Sequence, residues 1–562
     1  MSHISKTDLY EPSYSYVKCN KDADTVIGGS WVSVFDEDYF PGTGSGLKSI
    51  VTSDVTFGAA TGSFVFNKAG AYHLMTNIIT TAAGDATYSF KVTVNGVEKY
   101  FSQGRVDANM DPANHTFQTI LELLEGDRVA VWLSCGAANL TVKIGTSAVI
   151  TKISSDVYGG IRCTTAASVF SREEEYHPFD KGGTYSTSTA FEKIEKGITV
   201  SDSAGDDEGV LTIKEDGTYV ISSCNVITGK PNVTEDCTIK IKLNGTVLTT
   251  KTVNILMTAG SVVGPKEVTT FMIKELKKDD KISLTWDWAG TDGGTNTGIK
   301  IQKGSTVLAY KLLTNGPSRS LVRQDNYINV FTGASSSAND AGNVPFSFNP
   351  FDADHYTDVG TSVHTSSASK GFDFRQSDGT FKLTDYSDIK KGVYFAIFTG
   401  PALAVDASDT AGWEIKVNGE GVRLPEDADG WRVDAPLSSS TEISFSSAGD
   451  AWDRTVVGLI TLSGSDEVSC WMTQHTQDLK TMAGCEFSLY RIAAFNINDA
   501  AKSHDVSHDG TIRTFSPEAM TAQYTSTIAD QAPFSLGMPG PLSLRGKAAD
   551  GTVVIKLGDK KN

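Results

Sequence analysis

The chain has 562 residues, with 49 Lys and Arg against 67 Asp and Glu, for a formal net charge of −18. That acidic surplus argues against a face that grips nucleic acid, which needs a basic one. With 39% hydrophobic residues, 53 Gly and 16 Pro, the chain is neither disordered nor collagen-like, and at roughly 150 residues per domain it holds three or four.

The opening residues, Met1-Ser2-His3-Ile4-Ser5-Lys6, lead into polar and aromatic sequence with no apolar signal region. No stretch approaches the roughly 18 apolar residues of a membrane span. Residues 1–20 carry Tyr10, Tyr14 and Tyr16 amid polar residues, which reads as an N-terminal arm docking on a neighbour or as an edge strand of the first folded unit. Gly42-Thr43-Gly44-Ser45-Gly46-Leu47-Lys48-Ser49 approximates a phosphate loop, but Leu47 stands where the second glycine belongs and no helical pattern succeeds it. It reads as a loop.

From there the pattern is period two. Tyr88, Phe90, Val92 and Val94 alternate with Ser89, Lys91 and Thr93, and the run ends in Asn95-Gly96. Thr238 to Leu243 repeats this and ends in Asn244-Gly245; Trp413 to Val417 does so again and ends in Asn418-Gly419. Alternation marks half-buried strands, and Asn-Gly supplies the two positive-φ residues of a type I′ hairpin turn. Upstream of each hairpin lies a strand, a polar turn and Gly-x-Tyr: Gly70-Ala71-Tyr72, Gly217-Thr218-Tyr219 and Gly392-Val393-Tyr394. From Gly70 to Gly96, Gly217 to Gly245 and Gly392 to Gly419 the separations are 26, 28 and 27 residues. Downstream each unit has a strand, an acidic turn and another strand, with turns at Gly126-Asp127, Asp279-Asp280 and Gly464-Ser465-Asp466. Each unit then closes on an apolar strand, at Ala148–Ile150, Val307–Tyr310 and Phe487–Ile492. A pattern that recurs three times is a tandem repeat.

This order of elements resembles the complement-globular-head and tumour-necrosis-factor-like jelly roll. The resemblance covers 21–155, 156–315 and 316–495, and the first unit carries its motifs most fully, through Gly70-Ala71-Tyr72, Asn95-Gly96 and Leu121 to Asp127. It implies an all-β fold: three tandem antiparallel jelly-roll sandwiches, a short N-terminal arm (1–20) and a C-terminal extension or small β module (496–562) containing Pro517, Pro533, Pro539 and Pro541 and a strand at Thr552–Leu557. Such domains pack around a three-fold axis. Three chains stacking trimeric tiers, a homotrimer, is the favoured arrangement; one chain folding its three domains into a pseudo-trimer is the other.

Signs of chemistry are sparse. No Gly-x-Ser-x-Gly elbow occurs, and the seven cysteines form no Cys-x-x-Cys pair. They read as buried thiols, with a Cys224–Cys237 bridge left open. His504-Asp505 and His508-Asp509, and the acidic loops Asp206-Asp207-Glu208 and Glu426-Asp427-Ala428-Asp429, read as solvated turns rather than metal sites. Trp31, Trp132, Trp286, Trp288 and Trp413 fall in strand patterns and read as packing residues, whereas Trp431 and Trp452 fall in apparent loops and are the candidates for surface recognition. No catalytic residue, cofactor or metal is expected. The function expected from fold-level analogy is that of a phage virion structural protein, a trimeric capsid decoration or head-fibre protein made in the host cytoplasm. Its partners would be further copies of itself and capsid or other virion proteins. The alternative is a tail fibre or adhesin binding host surface glycan.

Overall fold

The computed structural model describes most of Ser13–Phe495; the longest stretches left out are 166–178, 180–190, 256–265, 289–298, 314–325, 336–345 and 354–362. Beyond 495 it describes only the strands Leu542–Lys547 and Val553–Leu557, an antiparallel pair. The chain forms two compact units, Tyr10–Asn496 and one joining 1–9 with Ile497–Asn562. The larger unit carries all three repeats.

Its strands build three sandwiches of two antiparallel sheets each, with no α-helix among the described residues. In the first sandwich one sheet runs Leu47–Val51, Tyr14–Cys19, Ser147–Lys152, Gly70–Ala82, Ala113–Leu123. The other runs Val55–Gly58, Ser63–Phe66, Arg128–Cys135, Ala86–Val94, Val97–Val106. The second sandwich repeats both orders: Phe191–Lys196, Tyr158–Cys163, Thr306–Lys311, Gly217–Gly229, Lys266–Leu276, facing Ile198–Val200, Leu211–Ile213, Lys281–Trp288, Glu235–Leu243, Thr246–Ile255. So does the third: Val363–Thr365, Tyr327–Thr332, Glu486–Phe495, Lys391–Ala404, Ala451–Ser463, facing Phe372–Arg375, Thr380–Leu383, Glu467–Gln474, Thr410–Val417, Leu437–Ser438. This alternation of strands between two sheets is the jelly-roll order. Tyr14–Cys19 is an interior strand, paired on both sides, so this part of the expected N-terminal arm belongs to the first sandwich.

The repeated motifs have one structural purpose. Asn95 Nδ2 donates to Asp127 Oδ1 at 2.7 Å, Asn95 Oδ1 accepts from the Arg128 amide at 2.9 Å, and Asp127 Oδ2 accepts from the Leu124 amide at 2.7 Å. The same three bonds link Asn244 with Asp280, at 2.8, 2.9 and 2.7 Å. They recur between Asn418 and Asp466, at 2.8, 2.9 and 2.8 Å. Each asparagine holds positive φ, which its short side chain tolerates, and so places its amide against the acidic turn of the neighbouring hairpin. The Gly-x-Tyr tyrosine likewise reaches back over its own turn. Tyr72 and Tyr219 hydroxyls donate at 2.8 Å to the carbonyls of Lys68 and Glu215.

Two of the cores are confined to one sandwich each: Phe64, Phe90 and Leu133 among others in the first, Ile221, Ile239 and Trp286 in the second. A third cluster joins the core of the third sandwich to residues from the other two, including Met75, Val149, Phe271 and Tyr310. The three sandwiches of one chain thus pack against each other about a common centre. The flanks of each sandwich are covered by sister sandwiches, which is the single-chain pseudo-trimer of the two expected arrangements. All seven cysteines are buried free thiols. Cys224 lies in the inter-sandwich cluster and Cys237 in the second core, on opposite sheets, which rules out the bridge left open between them.

Replacing Asp466 by Ala strands three donors at a nearly buried turn, where Asp466 is 8% exposed. A loss of about 1–3 kcal/mol is expected. Asp280→Ala acts at an exposed copy of the clasp and is expected to cost less, under about 1 kcal/mol. Calorimetric melting of the two variants checks the order.

Candidate functional site

Register identifies equivalent positions across the sandwiches. His73 pairs with Ile120 and Thr151, Val220 with Ile273 and Tyr310, Phe395 with Leu459 and Tyr490. These three sets meet at the pseudo-threefold centre. Phe395 stacks on Phe271 and Tyr490 with centroids 5.4 and 5.2 Å apart, and lies 6.1 Å from the His73 ring. Tyr310 Oη is 2.9 Å from Tyr490 Oη and 3.3 Å from His73 Nδ1; His73 Nε2 is 3.1 Å from Gln118 Oε1. Burial pushes the His73 imidazole down to about 4, so it is neutral at ordinary pH. With Nε2 donating to Gln118, Nδ1 accepts from Tyr310, which in turn accepts from Tyr490. Thr151 also bonds Tyr490, whose hydroxyl burial pushes up to about 12. The chain of neutral groups starts and ends in the first sandwich. His73, Tyr310 and Tyr490 are at most 3% exposed, so this His-Tyr-Tyr array, suggestive of proton-transfer chemistry, is closed to a substrate from solvent.

One level along the axis lie Asn114, Glu267 and Asp453, which occupy a shared register opposite Ile79, Val226 and Pro401. Each reaches the backbone of a neighbouring sandwich at a second equivalent set, Thr116, Thr269 and Thr455. Asn114 Nδ2 donates to the Thr455 carbonyl at 3.1 Å, Asp453 Oδ2 accepts from the Thr269 amide at 2.8 Å, and Glu267 accepts from the Thr116 amide. The backbone frame is threefold but the chemistry is not. Between second and third sandwiches, Lys251 Nζ sits 3.1 Å from Asp453, 3.0 Å from Thr399 Oγ1 and 3.9 Å from Glu486, all fully buried. Between first and second, the ionisable pair is His115 with Glu267. Burial drives that imidazole down and that carboxyl up, which favours a neutral acid–imidazole pair. Between third and first, Asn114 makes the bond to Thr455 given above and Ser147 donates to the Val457 carbonyl at 3.2 Å, and the buried Arg454 of the third sandwich lies near Tyr88 of the first.

A groove of about 450 Å³ opens between first and second sandwiches, with Ile120 and Leu308 among its apolar lining. Its charges are engaged: Arg162 bonds Glu192 and the Lys99 carbonyl, and Tyr158 donates to Glu122 at 2.6 Å. Among the described residues no group of three or more His, Cys, Asp or Glu stands ready to hold a metal.

The sequence candidates fall differently from expectation. Trp452 lies within the long strand Ala451–Ser463, paired with Ala402, and Trp431 in the short strand Trp431–Val433, paired with Pro425; neither is in a loop. Their side chains lie outside the described residues, as do His504, His508, Asp206-Asp207-Glu208, Glu426–Asp429 and the glycines of 42–46. Leu47–Val51, after that glycine stretch, is a strand. Trp286 and Trp413 are buried in cores. Trp31 and Trp132, read as packing residues, instead lie half-buried on the outside of the first sandwich. Lys91 sits between them, its ammonium 4.2 Å from the Trp31 ring and 6.0 Å from that of Trp132. Phe101, 6.3 Å from Trp31, extends the row to Lys303 of the second sandwich, whose ammonium lies 4.1 Å from the phenyl ring. Period-two counting places Trp132 opposite the core-facing Val131 and Leu133, and that phase was the available signal.

No protein-family model matches the chain, and no curated protein matches it. Among solved structures it is similar to the Eiger TNF of S. frugiperda, at 14% identity and a TM-score of 0.18, over 25% of this chain and 93% of that one. The assignment of the fold stands on the strand pairing.

Burial raises the Glu486 carboxyl from its ordinary 4.5 to about 7, against the opposing pull of Lys251. The folded state therefore holds a proton that the unfolded chain releases. This group's contribution is full below pH 4.5, declines as pH rises toward 7, and is constant above. Glu486→Gln is expected to gain stability relative to wild type between pH 4.5 and 7, by up to ~1.4 kcal/mol per unit. Paired melting curves across that range would show it, and a pH-independent difference would contradict it.

Proposed function

We propose that the chain is a virion structural protein, a capsid decoration or head-fibre protein of a tailed phage, which docks on capsid or other virion proteins and displays its outer loops. The observation that carries this reading is the construction of the body. One chain supplies a pseudo-threefold object, its repeated motif residues hold turns, and its buried polar residues at the axis hold the sandwiches together. A rigid three-lobed block of this kind suits a building and display role, by analogy of architecture. Such a particle component is trimeric in a modified sense, since its threefold arrangement is internal to the chain.

A second reading, a tail fibre or adhesin that binds host surface glycan, has its own observation in the aromatic and lysine row of Trp132, Lys91, Trp31 and Phe101.

Sedimentation equilibrium is expected to return the mass of one chain, 60.0 kDa; three times that mass would restore the homotrimer. Electron microscopy of particles assembled without the protein is expected to show loss of a surface feature. Particles unchanged in composition and mass would overturn the virion reading.

A further inference from the structure

The three sandwiches act as internal controls for one another, because register fixes which residues are equivalent. On the outer sheet of the first sandwich a row runs across three adjacent strands: Phe101 pairs with Lys91, and Lys91 with Trp132. In the second sandwich the same places hold Thr250, Lys240 and Thr285; in the third, Ser438, Glu414 and Trp471. The fold therefore does not require an aromatic at either end of the row. The charges differ as well. Lys240 is paired with Asp287 at 3.0 Å, and Glu414 with Lys416 at 3.0 Å. Among the described residues Lys91 has no carboxylate partner and is held by indole faces alone. Lys303, at the far end, keeps a loose pairing with Glu98 at 3.8 Å. In the third sandwich Lys416 lies 5.3 Å from the Trp471 ring, but it is neutralised by Glu414. The half-buried row of the first sandwich thus joins several aromatics to a lysine with no carboxylate partner among the described residues, in a chain whose net charge is −18.

The geometry points to a binding site for an acidic saccharide along Trp132, Lys91, Trp31 and Phe101. Indole and phenyl faces offer the flat apolar surface on which the C–H face of a pyranose ring packs. The lysine ammonium supplies a charge-assisted partner for a ring carboxylate or sulfate. Trp132 is held in place for this, since its Nε1 donates at 2.8 Å to Thr93 Oγ1, which fixes the ring at no cost on binding. Three strands about 4.8 Å apart give a row of roughly 10 Å, room for two sugar units. An acidic ligand exchanges the cation–aromatic contacts of Lys91 for an ion pair and leaves the indole faces to the sugar. This inference deepens the glycan-binding reading and does not depend on the virion reading.

The test uses the full chain and three probes: a disaccharide containing glucuronic acid, a sulfated disaccharide and the neutral glucose disaccharide, followed by calorimetric titration and tryptophan fluorescence. At least one acidic probe is expected to bind tenfold or more tightly than the neutral one. Trp132→Thr, which installs the residue the second sandwich already carries, is expected to weaken that binding tenfold or more with an unchanged melting temperature. Lys91→Gln is expected to abolish the preference for acid over neutral sugar. Trp471→Thr, in the third sandwich, is expected to leave binding intact. Absence of saturable binding of both acidic probes at millimolar concentration would overturn the proposal, as would undiminished binding by Trp132→Thr. Neutral-sugar binding lost on Trp431→Ala but kept in Trp132→Thr would sink this site while leaving the glycan reading standing.

Discussion

The structure depends on the burial of backbone and side-chain polar groups where three sandwiches meet. The strand Gly70–Ala82 is buried at ten consecutive positions, from Ala71 to Thr80. One face of it fills a sandwich core and the other fills the axis. A sheet covered on both faces is destabilised by each buried polar side chain that goes unbonded. The chain bonds many of them by passing hydrogen bonds from sandwich to sandwich, although Thr76 Oγ1 on this strand has no hydrogen-bond partner among the described residues. Asn114, Glu267 and Asp453 each bond a neighbour's backbone, so no sandwich has a self-sufficient inner face. An isolated sandwich would expose that surface, with its aromatic and aliphatic residues, to water.

A threefold backbone frame leaves a problem of order, because three similar flanks could pair in the wrong sequence or with another chain. The polar groups at the axis differ enough to discriminate. Lys251 fits only where Asp453 and Glu486 wait for it. At the equivalent place the first sandwich presents Ser102, across from Gly304 of the second. Putting Lys251 against an interface without carboxylates would bury an unpaired charge, which costs several kcal/mol. The buried ion cluster then contributes discrimination between pairings more than net stability. The close backbone approaches share this logic. Gly484 and Gly304 both hold positive φ near 97°, and a Cβ on either would lie under 3 Å from the neighbouring sandwich.

Much of the strand layout was legible because alternation, Asn-Gly turns and acidic turns are local signals. The clasp of Asn95 with Asp127 explains why two motifs more than thirty residues apart travel together, although the sequence showed each only as a turn. The axis was illegible for a physical reason. His73 and Asn77 lie on the face opposite Tyr72, Leu74 and Ile78, which in a half-buried strand is the solvent face, yet both are buried, with His73 against Tyr310 of the second sandwich. A polar residue meeting a polar residue of another domain leaves no periodicity to detect. Single-chain closure was hidden for the same reason, since a flank that pairs within a chain and one that pairs between chains need the same residues. Trp452 misled because Ala451 to Ser463, a strand at the centre of the molecule, begins among Ser, Gly and Asp residues that resemble a loop.

Internal repetition also separates what folding demands from what it merely permits. Positions filled alike in all three sandwiches, such as the asparagine and aspartate of the clasp, answer to the fold. Positions at the axis differ, but each difference has a complementary difference across the seam, as Lys251 has in Asp453 and Glu486. The outer row of the first sandwich fits neither description. Its aromatics have no counterpart at the same register in the second sandwich, and its Lys91 has no compensating carboxylate among the described residues. The part of a half-buried indole left facing water is unfavourable, and an ammonium without a carboxylate adds little stability to the fold. The third sandwich keeps a lysine beside the equivalent Trp471, but there Glu414 neutralises it. Stability or assembly of the three sandwiches gives no reason for the first to join several aromatics to a lysine without such a partner. The proposed saccharide would be such a reason, originating outside the chain.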